Sequence, residues 1–101
     1  MPSITRQSNS HVAYTNANNG ETMPLVDVVI LDCSSGVFTV HLPDPTLGAV
    51  IHIYWKNSGH NVTVSGSIYN NLTETITNSC CSGVTLVGDG TYWQYVSYWA
   101  D

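Results

Sequence analysis

Four histidines, His11, His41, His52 and His60, are the residues best suited to chemistry in this chain, because a neutral imidazole ligates metals and titrates near neutral pH. His41 and His52 fall on the less apolar faces of two alternating segments joined by a proline-bearing loop. A hairpin there would set the two rings side by side, which makes them weak candidates for a metal pair. No third ligand follows at a metal-binding spacing, and His11 and His60 fall in polar, turn-like sequence. Surface or interface histidines are the favoured reading, with the metal pair as the alternative, and no cofactor is expected. In a threefold assembly, one histidine near the axis would be presented three times and could bind a metal or an anion without any motif.

Hydrolysis would need paired carboxylates, or a nucleophile with its base. Asp27, Asp32, Asp44, Glu74 and Asp89 mostly stand in or near turns, where Asp accepts hydrogen bonds from its own backbone. No catalytic residue is nominated, and the chain is not expected to be an enzyme. Cys80 and Cys81 have no basic neighbour to activate a thiol. With three cysteines, free and partly buried thiols are expected, and a bridge from Cys33 to Cys80 or Cys81 is the alternative. Asn61-Val62-Thr63 and Asn71-Leu72-Thr73 match the N-glycosylation pattern, which matters only in the secretory pathway. The aromatics Tyr54, Trp55, Tyr69, Trp93, Tyr95, Tyr98 and Trp99 offer stacking faces and hydroxyls suited to sugars and proteins. Tyr98 and Trp99 are the candidate ligand-binding pair, whereas Trp55 and Trp93 share faces with large apolar residues and read as core.

Composition narrows the partners. Only 9% of the 101 residues are charged, and two basic residues, Arg6 and Lys56, stand against seven acidic ones. That balance excludes a cationic footprint for nucleic acid and disfavours acidic membranes. No apolar run approaches the roughly 20 residues that span a bilayer. The start, Met1-Pro2-Ser3-Ile4-Thr5-Arg6, lacks the apolar stretch of a signal peptide, so a soluble chain made without its own secretion signal is expected.

The elements that must position these residues read as strands. Residues 1–24 are rich in Ser, Asn and Thr and are expected to form a flexible N-terminal arm, either a loosely attached edge strand or a segment that docks to another component, with residues 25–101 as the β-rich domain. A dense β-branched run fills 25–31, and Asp32-Cys33-Ser34-Ser35-Gly36 supplies a turn. Residues 37–42 alternate strictly, which puts Phe38, Val40 and Leu42 on one face. Pro43 and Pro45 stop that strand. Ile51, Ile53 and Trp55 then share a face of 49–55. Gly88-Asp89-Gly90 leads into an aromatic strand, where the alternation places Trp93, Tyr95 and Trp99 together against Tyr92, Val96 and Tyr98. The expected core or subunit interface is therefore Phe38, Val40, Leu42, Ile51, Ile53, Trp55, Trp93 and Tyr95. Turn signals every eight to twelve residues, without helical periodicity, predict an all-β fold: a small sandwich, meander or β-prism of short antiparallel strands.

The segments Leu31-Asp32-x-Ser34-Ser35-Gly36, Thr39-Val40-x-Leu42-Pro43-Asp44-Pro45, Gly48, Val62-Thr63-Val64 and Asp89-Gly90-Thr91-x-Trp93, in that order, resemble a β-rich module of bacteriophage and large DNA virus proteins. The module occurs in tail fibres, head fibres and other virion structural proteins. The resemblance runs from residue 31 to residue 93, and Cys33, the Cys80-Cys81 pair and the extension to Asp101 depart from it. It implies a homotrimer around a threefold axis, located in the virion and acting by assembly rather than catalysis. It transfers no catalytic residues. The alternative expectation is a module that binds a host carbohydrate or receptor through exposed Tyr and Trp.

Overall fold

The computed structural model describes residues 10–69 and 75–100. Eight strands fill it: β1 (His11–Tyr14), β2 (Val28–Asp32), β3 (Phe38–His41), β4 (Val50–Lys56), β5 (Val62–Ser65), β6 (Thr75–Asn78), β7 (Ser82–Gly88) and β8 (Trp93–Ala100). One 3₁₀ turn at Asn16–Asn18 is the only helical element among the described residues, and no helix there is long and apolar enough to cross a membrane. The fold is all-β, in two sheets: five strands in the order β1-β2-β4-β7-β8, and three in the order β3-β5-β6.

The expectation of antiparallel strands is corrected. β1 with β2, β2 with β4, and β3 with β5 all pair in parallel; only β5 with β6, β4 with β7 and β7 with β8 are antiparallel. From β2 to β5 consecutive strands lie in alternate sheets, while β1 shares the larger sheet with β2, so the order is not a meander. The chain crosses from one sheet to the other and returns beside its own previous pass, a short solenoid-like winding that β6, β7 and β8 terminate. The Asp32–Gly36 turn, which looks like a hairpin, is therefore a crossover between sheets. Asp32 Oδ1 shapes it by accepting from the Ser34 amide at 3.0 Å and the Ser34 hydroxyl at 2.7 Å.

The boundary expected at residue 24 does not separate arm from body among the described residues. β1 is the edge strand of the larger sheet, and Tyr14 and Met23 are buried. The Asn-rich stretch after β1 is tied down: Asn16 Nδ2 donates to the Val37 carbonyl at 2.7 Å, and Asn19 Oδ1 accepts from the Thr39 amide at 2.9 Å. Gly20, Glu21 and Met23 continue along β3 through three backbone bonds of 2.7–2.9 Å. Asn side chains here replace ladder bonds, a capacity that composition alone reads as flexibility. Residues 1–9, the rest of the expected arm, lie outside the described residues.

Both sheets contribute to one core. Val29, Leu31, Ile51, Ile53, Trp55, Leu86 and Trp93 of the larger sheet cluster with Phe38, Val40, Val62, Val64 and Ile76 of the smaller one. Trp55 reaches between sheets, its indole Nε1 donating to the Val62 carbonyl at 2.9 Å. Trp93 Nε1 donates to the Pro43 carbonyl at 2.8 Å and fixes the proline-bearing loop. Of the eight expected core residues, seven are buried and Tyr95 is 39% exposed.

Candidate functional site

Tyr95 is open to solvent because β8 is an edge strand carrying a bulge. Leu86 pairs with Tyr95 and Thr85 with Ser97, so Val96 has no partner in the ladder. One extra residue inverts the alternation that follows it. Tyr98 pairs with buried Val84 and shares the core-facing side with Trp93 and Tyr95, while Trp99 pairs with Gly83 on the outer side. The grouping of Trp93, Tyr95 and Trp99 is thus corrected. So is the idea of one site built from both Tyr98 and Trp99, since their side chains belong to opposite faces.

Two surfaces result. On the outer face of the larger sheet, strand register sets Ala13, Ile30, Tyr54, Gly83 and Trp99 in one row, with Val28, His52, Thr85 and Ser97 in the next. Gly83 leaves a gap that the Trp99 ring covers: a Cβ added there would stand 2.6 Å from Trp99 Nε1. Trp99 also stacks on Tyr54, with ring centroids 5.7 Å apart. An aromatic filling the hole over a cross-strand glycine is a packing device, yet Trp99 remains 50% exposed. Val50 is 40% exposed on the same face. The second surface is a cleft of about 450 Å³ between the edges of β6 and β8, lined by Thr75, Ile76, Thr77, Asn78, Tyr95 and Tyr98.

The histidine pair is not brought together. His41 lies in the smaller sheet on the side opposite Phe38 and Val40, and His52 lies in the larger sheet on the side opposite Ile51 and Ile53. Both side chains point away from the common core, because β3 and β4 occupy different sheets instead of forming a hairpin. His52 Nδ1 lies 3.0 Å from Thr85 Oγ1, its cross-strand neighbour. Among the described residues, no group of three His, Cys, Asp or Glu side chains could hold a metal ion.

The turn carboxylates are occupied by structure. Asp32 Oδ1 accepts from Asn57 Nδ2 at 3.1 Å in addition to both Ser34 groups, and these bonds hold its carboxyl down at about 2. Asp89 Oδ1 accepts from the amides of Thr91 and Tyr92 at 2.8 and 2.6 Å, and its Oδ2 accepts from Gln94 Nε2 at 2.7 Å. The Tyr92 amide, then Gln94 and the Thr91 amide, lower its carboxyl below the ordinary range. Glu74 and the sequon at Asn71 lie outside the described residues.

Cys33 is the free, buried thiol expected of it, and Cys80 and Cys81 depart from expectation. Cys80 and Cys81 form a disulfide with each other in the turn between β6 and β7, and Cys33 is free and buried. Cys33 stands in the crossover after β2, and its thiol donates toward the Leu31 carbonyl. Burial, then the neighbouring Asp32 charge, pushes its thiol up, which suits packing rather than nucleophilic attack.

Asn78 is a residue that sequence reasoning missed as a site member, and Tyr54, named among the candidate aromatics, was not paired with Trp99. Tyr54 carries a signal in hindsight, since it and Trp99 flank Gly83 once the bulge is placed. Asn78 had none beyond its position before the cysteine turn. No protein-family model matches the chain, and no curated protein matches it in sequence.

Proposed function

We propose that the chain is a structural assembly module that associates with further copies of itself through the outer face of the larger sheet. The single observation behind this reading is the uncovered apolar row Ile30, Tyr54 and Trp99, bordered by Val28, Val50 and Val87. A monomer of this size gains little from leaving such a row in water, while burial between copies recovers about 25 cal/mol per Å². Charge favours a like partner. The whole chain carries −5, but the paired strands of this face present only one acid and one base, Asp32 and Lys56, which are in register. Identical faces therefore meet without like-charge repulsion and with one complementary pair each.

The number of copies and the setting come from the resemblance stated for residues 31–93: a trimer, as a piece of a virion fibre or capsid-associated component. Docking of the N-terminal stretch to another virion protein belongs to the same reading. Multi-angle light scattering at micromolar concentration tests the reading. The expected mass is three times the 11.0 kDa of the chain, falling towards one chain in Trp99→Ser. A wild-type mass of one chain, unaltered by Trp99→Ser, would remove the proposal.

A further inference from the structure

We infer that the cleft between β6 and β8 is a binding site for a small neutral saccharide. It is separate from the assembly face, because Tyr95 and Tyr98 share the side of β8 that carries Trp93, opposite to Trp99. At about 450 Å³ its volume falls within the range of small-molecule sites, about 300–1,000 Å³.

The lining matches the chemistry of a sugar. Tyr95 and Tyr98 are 39% and 52% exposed, so both phenol rings present surface that a pyranose C–H face can cover. Ile76 lines the cleft and is itself 6% exposed, so the cleft reaches the core. Around these apolar surfaces stand neutral hydrogen-bonding groups. Tyr98 Oη donates to Asn78 Oδ1 at 3.1 Å, which fixes the carboxamide; a phenol oxygen in that position still accepts, and the amide nitrogen donates. A saccharide needs this mixture of donors and acceptors beside an apolar ring.

Charge selects among alternatives. None of the six lining residues is an Asp, Glu, Lys, Arg or His, and the chain is acidic overall. A phosphate or carboxylate would meet no cation, and a cationic ligand no carboxylate. An uncharged polyol satisfies the lining without an unpaired buried charge.

The experiment is an NMR titration of the full chain with D-galactose, N-acetyl-D-glucosamine and cellobiose in turn, read on backbone amides. For at least one sugar, saturable shifts are expected at residues 75–78 and 95–98. Tyr98→Ala should weaken binding about tenfold by removing a stacking ring and the bond that orients Asn78. Tyr98→Phe keeps the ring and should weaken it less, and Asn78→Ala provides a second variant if Tyr98→Ala does not fold. Trp99→Ala, on the other face, should leave saccharide affinity unchanged while altering oligomer mass, so the two proposals fail separately. Absence of saturable shifts with all three sugars would overturn the assignment. Shifts confined to the outer face and lost in Trp99→Ala would also overturn it.

Discussion

Trp55 gives the most direct test of how the two sheets are held. It is fully buried in β4 of the larger sheet, and its indole N–H reaches the Val62 carbonyl in β5 of the smaller one. Trp55→Phe removes one buried hydrogen bond, worth about 1 kcal/mol. It also vacates the space of the smaller indole ring, which adds about 1 kcal/mol at roughly 24 cal/mol per Å³ of cavity. The sum, about 2 kcal/mol, is well within a typical total stability of about 5–15 kcal/mol, so the variant still folds. For a domain of this size it corresponds to a fall in Tm of roughly 8–16 °C. Ile53→Val is the control: it opens a small gap on the same face without touching a hydrogen bond, at a cost of about 1 kcal/mol. Circular dichroism melts at one fixed protomer concentration provide the comparison, since association would otherwise shift Tm. If Trp55→Phe costs no more than Ile53→Val, the indole is not the tie between sheets and this account of the core fails.

Gly88→Ala is expected to be among the most damaging small substitutions, because an added Cβ would strike the Thr46 carbonyl oxygen in the loop that Gly88 grips through bonds to Gly48 and Ala49. Overpacking against backbone gives a loss of roughly 1–3 kcal/mol by urea denaturation, and a neutral result would place the loop elsewhere. Stability should also fall in acid. Asp32 titrates at about 2 in the folded chain against an ordinary 3.8, and Asp89 is lowered too, so their contribution is complete above the ordinary value and disappears as pH drops through the folded one. Tm measured from about pH 6 to pH 2 should be flat at first and then decline below about pH 4, with a shallower decline in the Asp32→Asn, Asp89→Asn double variant. An identical acid limb in that variant would show that other carboxylates control it.

The legible part of the fold was its local grammar. Period-two alternation marked Phe38, Val40 and Leu42, and Ile51, Ile53 and Trp55, as buried faces, and all of these are in the core. What alternation does not encode is which strand comes next in space. A turn such as Asp32–Gly36 has the same composition whether it reverses a strand within a sheet or carries the chain across to the other one, so parallel pairing was invisible. The weak alternative of a histidine pair fails for that reason: His41 and His52 are close in sequence but belong to different sheets. For the N-terminal stretch, composition left a flexible arm and an edge strand both open. Asn16 and Asn19 look like solvated polar residues, yet their amides act as surrogate backbone for β3. At the candidate sites the obstacle was the single unpaired residue Val96, since a bulge leaves no mark on composition but reverses every assignment beyond it.

That reversal ties structure to both proposed roles. Had β8 run without a bulge, Trp99 would share the core-facing side with Trp93, and the gap over Gly83 would stand open on the outer face. Tyr98 would turn outward, and the cleft would lose the hydroxyl that holds Asn78. The inserted Val96 instead sends the larger ring to the sheet face that lacks a side chain and the phenol to the edge that faces β6. An edge strand can accept such an insertion cheaply, because only one ladder is disturbed. A strand held on both sides would lose hydrogen bonds to two neighbours. The position of β8 at the sheet edge is therefore what allows one strand to supply the proposed assembly surface on one side and the proposed binding cleft on the other.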